Sequence, residues 1–207
     1  MTYKAAIAGL SLGGGKSVIL GDPRKDKTKE RMMAFAGHVS SLGGRYIVAE
    51  DVGIDLADIA LFRTVTPYVA HFSGDVGGPS DVSSATALGV LLGMQACLEA
   101  VFGDASFNEK RVAIQGMGKV GYALAKLLHS AGAHLIISDM DPEKVAIGCR
   151  EFDCDIVHPH EIYRVDCDVF APCALGGILN DRTVPALSCK IVAGSANNQL
   201  ERCDWYA

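Results

Sequence analysis

The residues Gly116-Met117-Gly118-Lys119-Val120-Gly121 have the types and the spacing to hold a pyrophosphate. An apolar run, Val112 to Ile114, leads into them. Val120, Ala123, Leu124, Leu127 and Leu128 then follow at helical spacing, so the stretch reads as strand, tight turn, helix. Gly116 permits the sharp turn, Gly118 lets backbone come close to a phosphate, and Gly121 lets helix pack closely on strand. Free N–H groups and the dipole at the helix N-terminus attract the phosphates. A second apolar run, Leu135 to Ile137, ends in Asp139, 18 residues beyond Gly121. A carboxylate there accepts hydrogen bonds from both ribose hydroxyls and repels a 2′-phosphate, as does Asp141 nearby. The order of parts predicts a dinucleotide site with NAD, rather than NADP, as cofactor. The competing account is a glycine-rich turn in an unrelated α/β unit.

A second constellation lies near the start of the chain. Gly13-Gly14-Gly15-Lys16 predicts a turn whose backbone approaches a ligand, with an amine delivered at its edge. It is not a phosphate-binding P-loop, because the leading glycine is missing and the residues after Lys16 read as strand. Burial of Lys16 against the apolar stretches on either side would lower its pKa and suit it to act as a base. The alternative is a surface lysine in a turn. The seven cysteines, at 97, 149, 154, 167, 173, 189 and 203, show no metal-ligand spacing and sit mostly in apolar runs. They are expected to be reduced structural thiols. The histidines form no metal pattern either, and His158 and His160 belong to a loop; no metal is expected.

The elements that must position these groups divide the chain in two. With 207 residues, 49% hydrophobic and 21% charged, there is enough chain for one substantial core or two modest lobes. In residues 1–72, strands are expected at Lys4–Leu10, Ser17–Leu20 and Arg45–Glu50, with helices over Asp26–Leu42 and 55–62. Residues 73–80, rich in glycine, serine and proline, predict a loop or hinge. Ser83–Phe102 predicts a long apolar helix buried between the lobes, and strands alternating with helices fill the remainder. The fold class expected is α/β: a doubly wound parallel-sheet Rossmann domain over 73–207, including that connecting helix, beside a partial α/β substrate domain over 1–72. Net charge is −5 and no basic cluster interleaves with aromatics, so no nucleic-acid or anionic-membrane partner is expected. No apolar run is read as reaching a transmembrane length and no signal peptide is seen, which leaves a cytoplasmic location as the default.

The segment MTYKAAIAGLSLGGGKSVILGDP, residues 1–23, resembles the signature of the Glu/Leu/Phe/Val dehydrogenase family. GGRYIVAEDVG at 43–53, APCALGG at 171–177 and GSANNQL at 194–200 are most similar to its leucine dehydrogenase branch. The likeness runs in order over essentially the whole chain. It implies that Lys4 holds a substrate carboxylate, that Lys16 activates the water that attacks an imine, and that Asp51 exchanges protons with the amino group. Thr86 and Asn197 match positions lining the nicotinamide and the substrate amino group. Cys173 and Ala174 lie in a loop that passes the cofactor, and Cys173 has no histidine partner that would make it a nucleophile. Ala49 matches a small apolar pocket position, which favours a branched aliphatic substrate, with phenylalanine second.

The implied reaction is reversible NAD-dependent deamination of an L-amino acid to a 2-oxo acid and ammonium, in a cleft that closes about residues 73–80. Lys119 departs from the leucine branch, which usually has asparagine there; it contacts phosphate or lies on the helix surface. The family pattern also extends before Met1 and past Ala207, so the chain is expected to be truncated at both ends, and homo-oligomeric assembly is expected of the full-length protein. Two rival readings are an inactive NAD-binding module and a 2-hydroxy-acid dehydrogenase, the second needing a histidine or arginine base that these motifs do not supply.

Overall fold

The computed structural model describes residues 1–70 and 82–202. The hinge expected at 73–80 lies outside the described residues. The chain divides into two compact units, Met1–Ser80 and Asp81–Ala207.

The first unit opens with helix α1, Thr2–Ile7, where a strand was expected. Alanines at 5, 6 and 8 favour the helix. Its end is a Schellman motif: Gly9 at φ +67° donates to the Ala6 carbonyl, and Leu10 N–H donates to the Ala5 carbonyl at 2.9 Å. Ser17–Leu20 is likewise not a strand, since it has no ladder partner among the described residues. Arg45–Glu50 reduces to a single parallel bridge, Val48 to Val69.

Helix α2, Lys29–Ser41, starts where the Thr28 hydroxyl accepts the Arg31 N–H and stops before Gly43 and Gly44, both at positive φ. Helix α3, Leu56–Arg63, is capped reciprocally by Asp55 and Asp58. Lys27 ties both carboxylates from outside, at 3.1 Å to Asp55 and 2.7 Å to Asp58. Between α2 and α3 lies a small core of Met32, Ala36, Val39, Ile59 and Phe62, closed by Val48. Each fully buried side chain of this size contributes about 1.5–3 kcal/mol against chain entropy.

The second unit begins with α4, Val82–Phe102, and continues β1 (Arg111–Gln115), α5 (Lys119–Ser130), β2 (His134–Ser138), α6 (Pro142–Glu151), β3 (Cys154–Ile156), β4 (Val169–Pro172) and β5 (Ile191–Val192). Single turns of tighter helix occur at Ile162–Arg164 and Val184–Ala186. All pairings are parallel, in the order β3-β2-β1-β4-β5. The chain winds outward from β1 through β2 to β3, then crosses back to place β4 on the other side of β1. That reversal makes β1 and β4 the switch point of a doubly wound sheet, where ligands bind at the carboxyl ends of strands.

One apolar cluster joins α4 and α5 to the sheet through Met94, Leu98, Leu124, Leu128, Ile114 and Leu135, and a second covers the other face through Ala113, Ile136, Ile162 and Phe170. Helix α4 corrects one expectation. An 18-residue window within it has a mean hydropathy of 1.6, so by length and composition it passes for a membrane-crossing helix. Within its own unit Ala87, Met94 and Leu98 are enclosed in the core, while Leu88, Leu92 and Val101 are exposed. The apolarity of its inner face is that of a core helix packed on α5.

Candidate functional site

The glycine turn forms at the carboxyl end of β1. Gly116, at φ +96°, takes a conformation that L side chains rarely adopt, and a Cβ there would meet the Ala174 Cβ at 2.9 Å. A Cβ on Gly121 would stand 1.9 Å from the Gly116 carbonyl oxygen, so only glycine lets the first turn of α5 approach the strand end. Gly118 differs from both. Nothing lies within 4 Å of where its Cβ would be, so it faces open space at the N-cap of α5. Lys119 is exposed at the first position of the helix and lines a hollow with Gly118, Tyr122 and Lys144. Val120 is half-buried against the core.

Asp139 holds the turn from the end of the neighbouring strand. Its Oδ2 accepts the Met117 N–H at 2.7 Å and its Oδ1 the Asp141 N–H at 2.8 Å. Each oxygen retains a lone pair for a further donor. Asp141 is occupied as the N-cap of α6, accepting the Glu143 N–H at 3.0 Å.

Loops after β4 and β5 complete this end of the sheet. Cys173 N–H donates to the Gln115 carbonyl at 2.8 Å, bringing Cys173 and Ala174 to the glycine turn. Ala196 N–H donates to the Pro172 carbonyl at 3.0 Å and Gly177 N–H to the Asn198 carbonyl at 2.8 Å, so Asn197 lies in a loop laid along the 172–177 segment. Cys173 is in hydrogen-bond contact with Ser195; burial pushes its thiol up, as suits a packing residue rather than a nucleophile. Thr86 is on α4, with its hydroxyl donating to the Val82 carbonyl at 2.8 Å.

A cleft of about 200 Å³ opens beside the turn, lined by Gln115, Gly116, Asp139, Tyr163, Ala174 and Arg182 among others. Ser138 also lines it, 1% exposed. Ser138 Oγ and Gln115 Oε1 are buried with no hydrogen-bond partner among the described residues. Buried polar atoms are seldom left so, and these two offer a ligand unspent hydrogen-bonding capacity. The sequence reading missed Gln115, Ser138, Tyr163 and Arg182. The first two precede Gly116 and Asp139 and were findable as strand ends; Arg182 comes from a remote loop with no local signal.

The first unit carries the other constellation. A Cβ on Gly14 would stand 2.2 Å from the Thr2 nitrogen, and one on Gly15 would stand 2.9 Å from the Tyr46 ring. The turn is thereby wedged between the first turn of α1, which carries Lys4, and Tyr46, whose hydroxyl lies 2.8 Å from Ser17 Oγ. At its end, the Lys16 ammonium pairs with Asp51 Oδ2. Asp51 Oδ1 accepts the Val52 N–H at 2.8 Å, in a tight turn that Gly53 closes at φ +79°. The structure thus joins Lys16 and Asp51, 35 residues apart in sequence. Lys16 is not desolvated as the conditional reading required: its side chain is 58% exposed, because the apolar residues around it, Val18 and Leu20 included, are themselves exposed in this unit. Ala49 and Lys4 are exposed as well.

Comparison with known proteins matches these features. Residues 1–68 match the family model for the Glu/Leu/Phe/Val dehydrogenase dimerisation domain, and residues 77–142 match that for glutamate/leucine/phenylalanine/valine dehydrogenase. A leucine dehydrogenase of Geobacillus stearothermophilus is 51% identical over 97% of this chain and 55% of its own length. A phenylalanine dehydrogenase of Lysinibacillus sphaericus is 42% identical over 97% and 54%. The crystal structure of L-tryptophan dehydrogenase from Nostoc punctiforme superposes with a TM-score of 0.70 at 43% identity, over 97% of this chain and 56% of that one. The chain therefore spans about half the length of the relatives it matches. By sequence on both units and by fold, the chain belongs to the Glu/Leu/Phe/Val dehydrogenase family.

Proposed function

We propose that the protein carries out reversible, NAD-dependent oxidative deamination of an L-amino acid with a branched aliphatic side chain, giving the 2-oxo acid and ammonium. The observation that carries this is the Lys16–Asp51 ion pair, assembled by a glycine turn and a second tight turn from distant parts of the chain. In this reading Lys4 binds the substrate carboxylate, Lys16 activates the water that attacks the imine, and Asp51 passes protons to and from the nitrogen. Ala49 leaves room for an aliphatic side chain.

NAD fits the residues of the second unit. The open face of Gly118 and the N-terminus of α5 would receive its pyrophosphate, with Gly116 and Gly121 shaping the turn and Lys119 and Val120 beside it. Asp139 would accept a ribose hydroxyl through its remaining lone pairs, and its charge disfavours a 2′-phosphate. Thr86, Cys173, Ala174 and Asn197 would border the nicotinamide. When bound, the nicotinamide supplies hydride transfer; the chain supplies orientation and charge. Assembly of the full protein as a homo-oligomer and a cytoplasmic location belong to the same proposal.

The relatives named for phenylalanine and tryptophan favour a second reading, with an aromatic substrate. The test is NADH oxidation by the purified chain with 4-methyl-2-oxopentanoate or phenylpyruvate, with and without ammonium. Ammonium-dependent turnover, faster with the aliphatic acid, is the expected result. Turnover without ammonium, or NADH binding with no turnover, would overturn it.

A further inference from the structure

Two cysteines that the proposed chemistry does not use face one another where β4 and β5 begin. Just before these strands pair, the Asp168 carbonyl accepts the Ile191 N–H at 3.1 Å and the Lys190 N–H at 3.3 Å, which brings the preceding residues, Cys167 and Cys189, side by side. Both side chains enter one apolar cluster with Ile162, Tyr163 and Phe170, and the two thiols are in hydrogen-bond contact. Neighbouring chains at this end of the sheet run roughly 4.8 Å apart, inside the span of roughly 4.4–6.8 Å that a disulfide bridges.

The pair is also polarised. Cys189 receives the Cys167 S–H and faces backbone N–H groups of Phe170, Cys189 and Ile191, which together bring its thiol down to about 7 against the opposing effect of burial. Cys167 is pushed up by its hydrogen bond to Cys189 and then by burial. One sulfur is suited to be the nucleophile, the other to resolve. Cys167 is 7% exposed while Cys189 is more open, so an oxidant reaches the reactive sulfur first.

We propose that Cys167 and Cys189 form a redox modification site, converted by a small peroxide into an intramolecular disulfide. The Cys189 thiolate attacks one peroxide oxygen and the O–O bond breaks, giving a sulfenic acid on Cys189 and hydroxide. That hydroxide takes the Cys167 proton and leaves as water. The Cys167 sulfur then attacks the Cys189 sulfur and displaces a second hydroxide, which solvent protonates; two electrons pass from the thiols to the peroxide. The bond ties β4 to β5 just before the strands that deliver Cys173 and the 194–198 loop, fixing the spacing of those two loops.

A second touching pair serves as an internal control. Cys149 on α6 and Cys154 on β3 are in hydrogen-bond contact, but Cys154 is pushed up to about 12, chiefly by burial. The test is to reduce the purified chain, expose it to graded hydrogen peroxide, block free thiols with iodoacetamide and map peptides by mass spectrometry without reductant. The expected result is a Cys167–Cys189 linked peptide, lighter by two hydrogens than its parts, appearing at lower peroxide than any Cys149–Cys154 link. In Cys167→Ser, dimedone should trap a sulfenic acid on Cys189. Full alkylation of Cys167 and Cys189 at peroxide levels that link the other pair would overturn the proposal, as would no dimedone adduct at Cys189.

Discussion

The carboxylate of Asp139 accepts the backbone N–H of Met117 at 2.7 Å, across 22 residues of sequence. The acid at the end of β2 therefore fixes the glycine turn at the end of β1 before any ribose is present. Replacing Asp139 by alanine removes the acceptor for two backbone N–H groups, Met117 and Asp141. Hydrogen bonds to a charged group contribute about 1.5–3 kcal/mol each when half-buried, so Asp139→Ala should lower both urea-unfolding stability and NADH affinity. Unchanged stability with weakened binding would mean that Asp139 acts on the ribose alone.

Gly118 and Gly121 separate shape from binding. Gly121→Ala places a methyl 1.9 Å from the Gly116 carbonyl and forces α5 off the strand, costing about 1–3 kcal/mol in stability as well as cofactor affinity. Gly118→Ala meets nothing within 4 Å and should leave the unfolding curve within about 1 kcal/mol of the parent. Its methyl fills the space assigned to the pyrophosphate, so NADH titration followed by fluorescence should show binding weakened at least tenfold. Equal NADH affinity in Gly118→Ala and the parent would place the phosphates elsewhere.

These glycines also mark what was legible beforehand. Turn, helix, second strand and terminal acid of the nucleotide unit are local patterns, and each reappears within a residue or two. The first unit was read less well because strands are not local. Ser17–Leu20 has the β-branched and apolar content of a strand but no neighbour to pair with among the described residues. At Lys4–Leu10 the alternation misled, although the alanines and Gly9 were helix and cap signals in plain view. Lys16 and Asp51 were placed together by likeness to a family, since nothing in their own spacing required it. Their exposure was not foreseeable, because burial depends on what covers Val18 and Leu20. Arg182 emerges only when a remote loop meets the sheet.

Lys16 itself offers a test of chemistry apart from stability. A pair with side chains 58% and 43% exposed contributes at most about 1 kcal/mol to folding. Lys16→Ala should therefore keep the parent unfolding curve and NADH affinity. Its ammonium-dependent NADH oxidation should fall by about 10²–10⁴-fold, the range for loss of a general base. Asp51→Asn should show the same pattern. Turnover within a factor of about three of the parent in either variant would remove these residues from the reaction.

The Lys27, Asp55 and Asp58 network sets how the first unit responds to pH. Asp55 is held below its ordinary value of 3.8, first by the Asp58 N–H and then by Lys27. Its contribution is complete above that value and is lost as pH falls through the lower, folded one. Lys27 is raised above 10.5, first by its hydrogen bond to Asp58, so its contribution is complete below 10.5 and is lost as pH rises through the folded value. Stability of α2 and α3 should thus form a plateau between these limits, with an acid limb belonging to Asp55 and an alkaline limb to Lys27. Asp55→Asn keeps a capping oxygen and should flatten the acid limb while costing under about 1 kcal/mol on the plateau; Asp55→Ala also loses the cap, about 1 kcal/mol more. Urea unfolding followed by far-ultraviolet circular dichroism across the pH range measures both limbs. An acid limb of undiminished slope in Asp55→Asn would assign the acid sensitivity to other carboxylates.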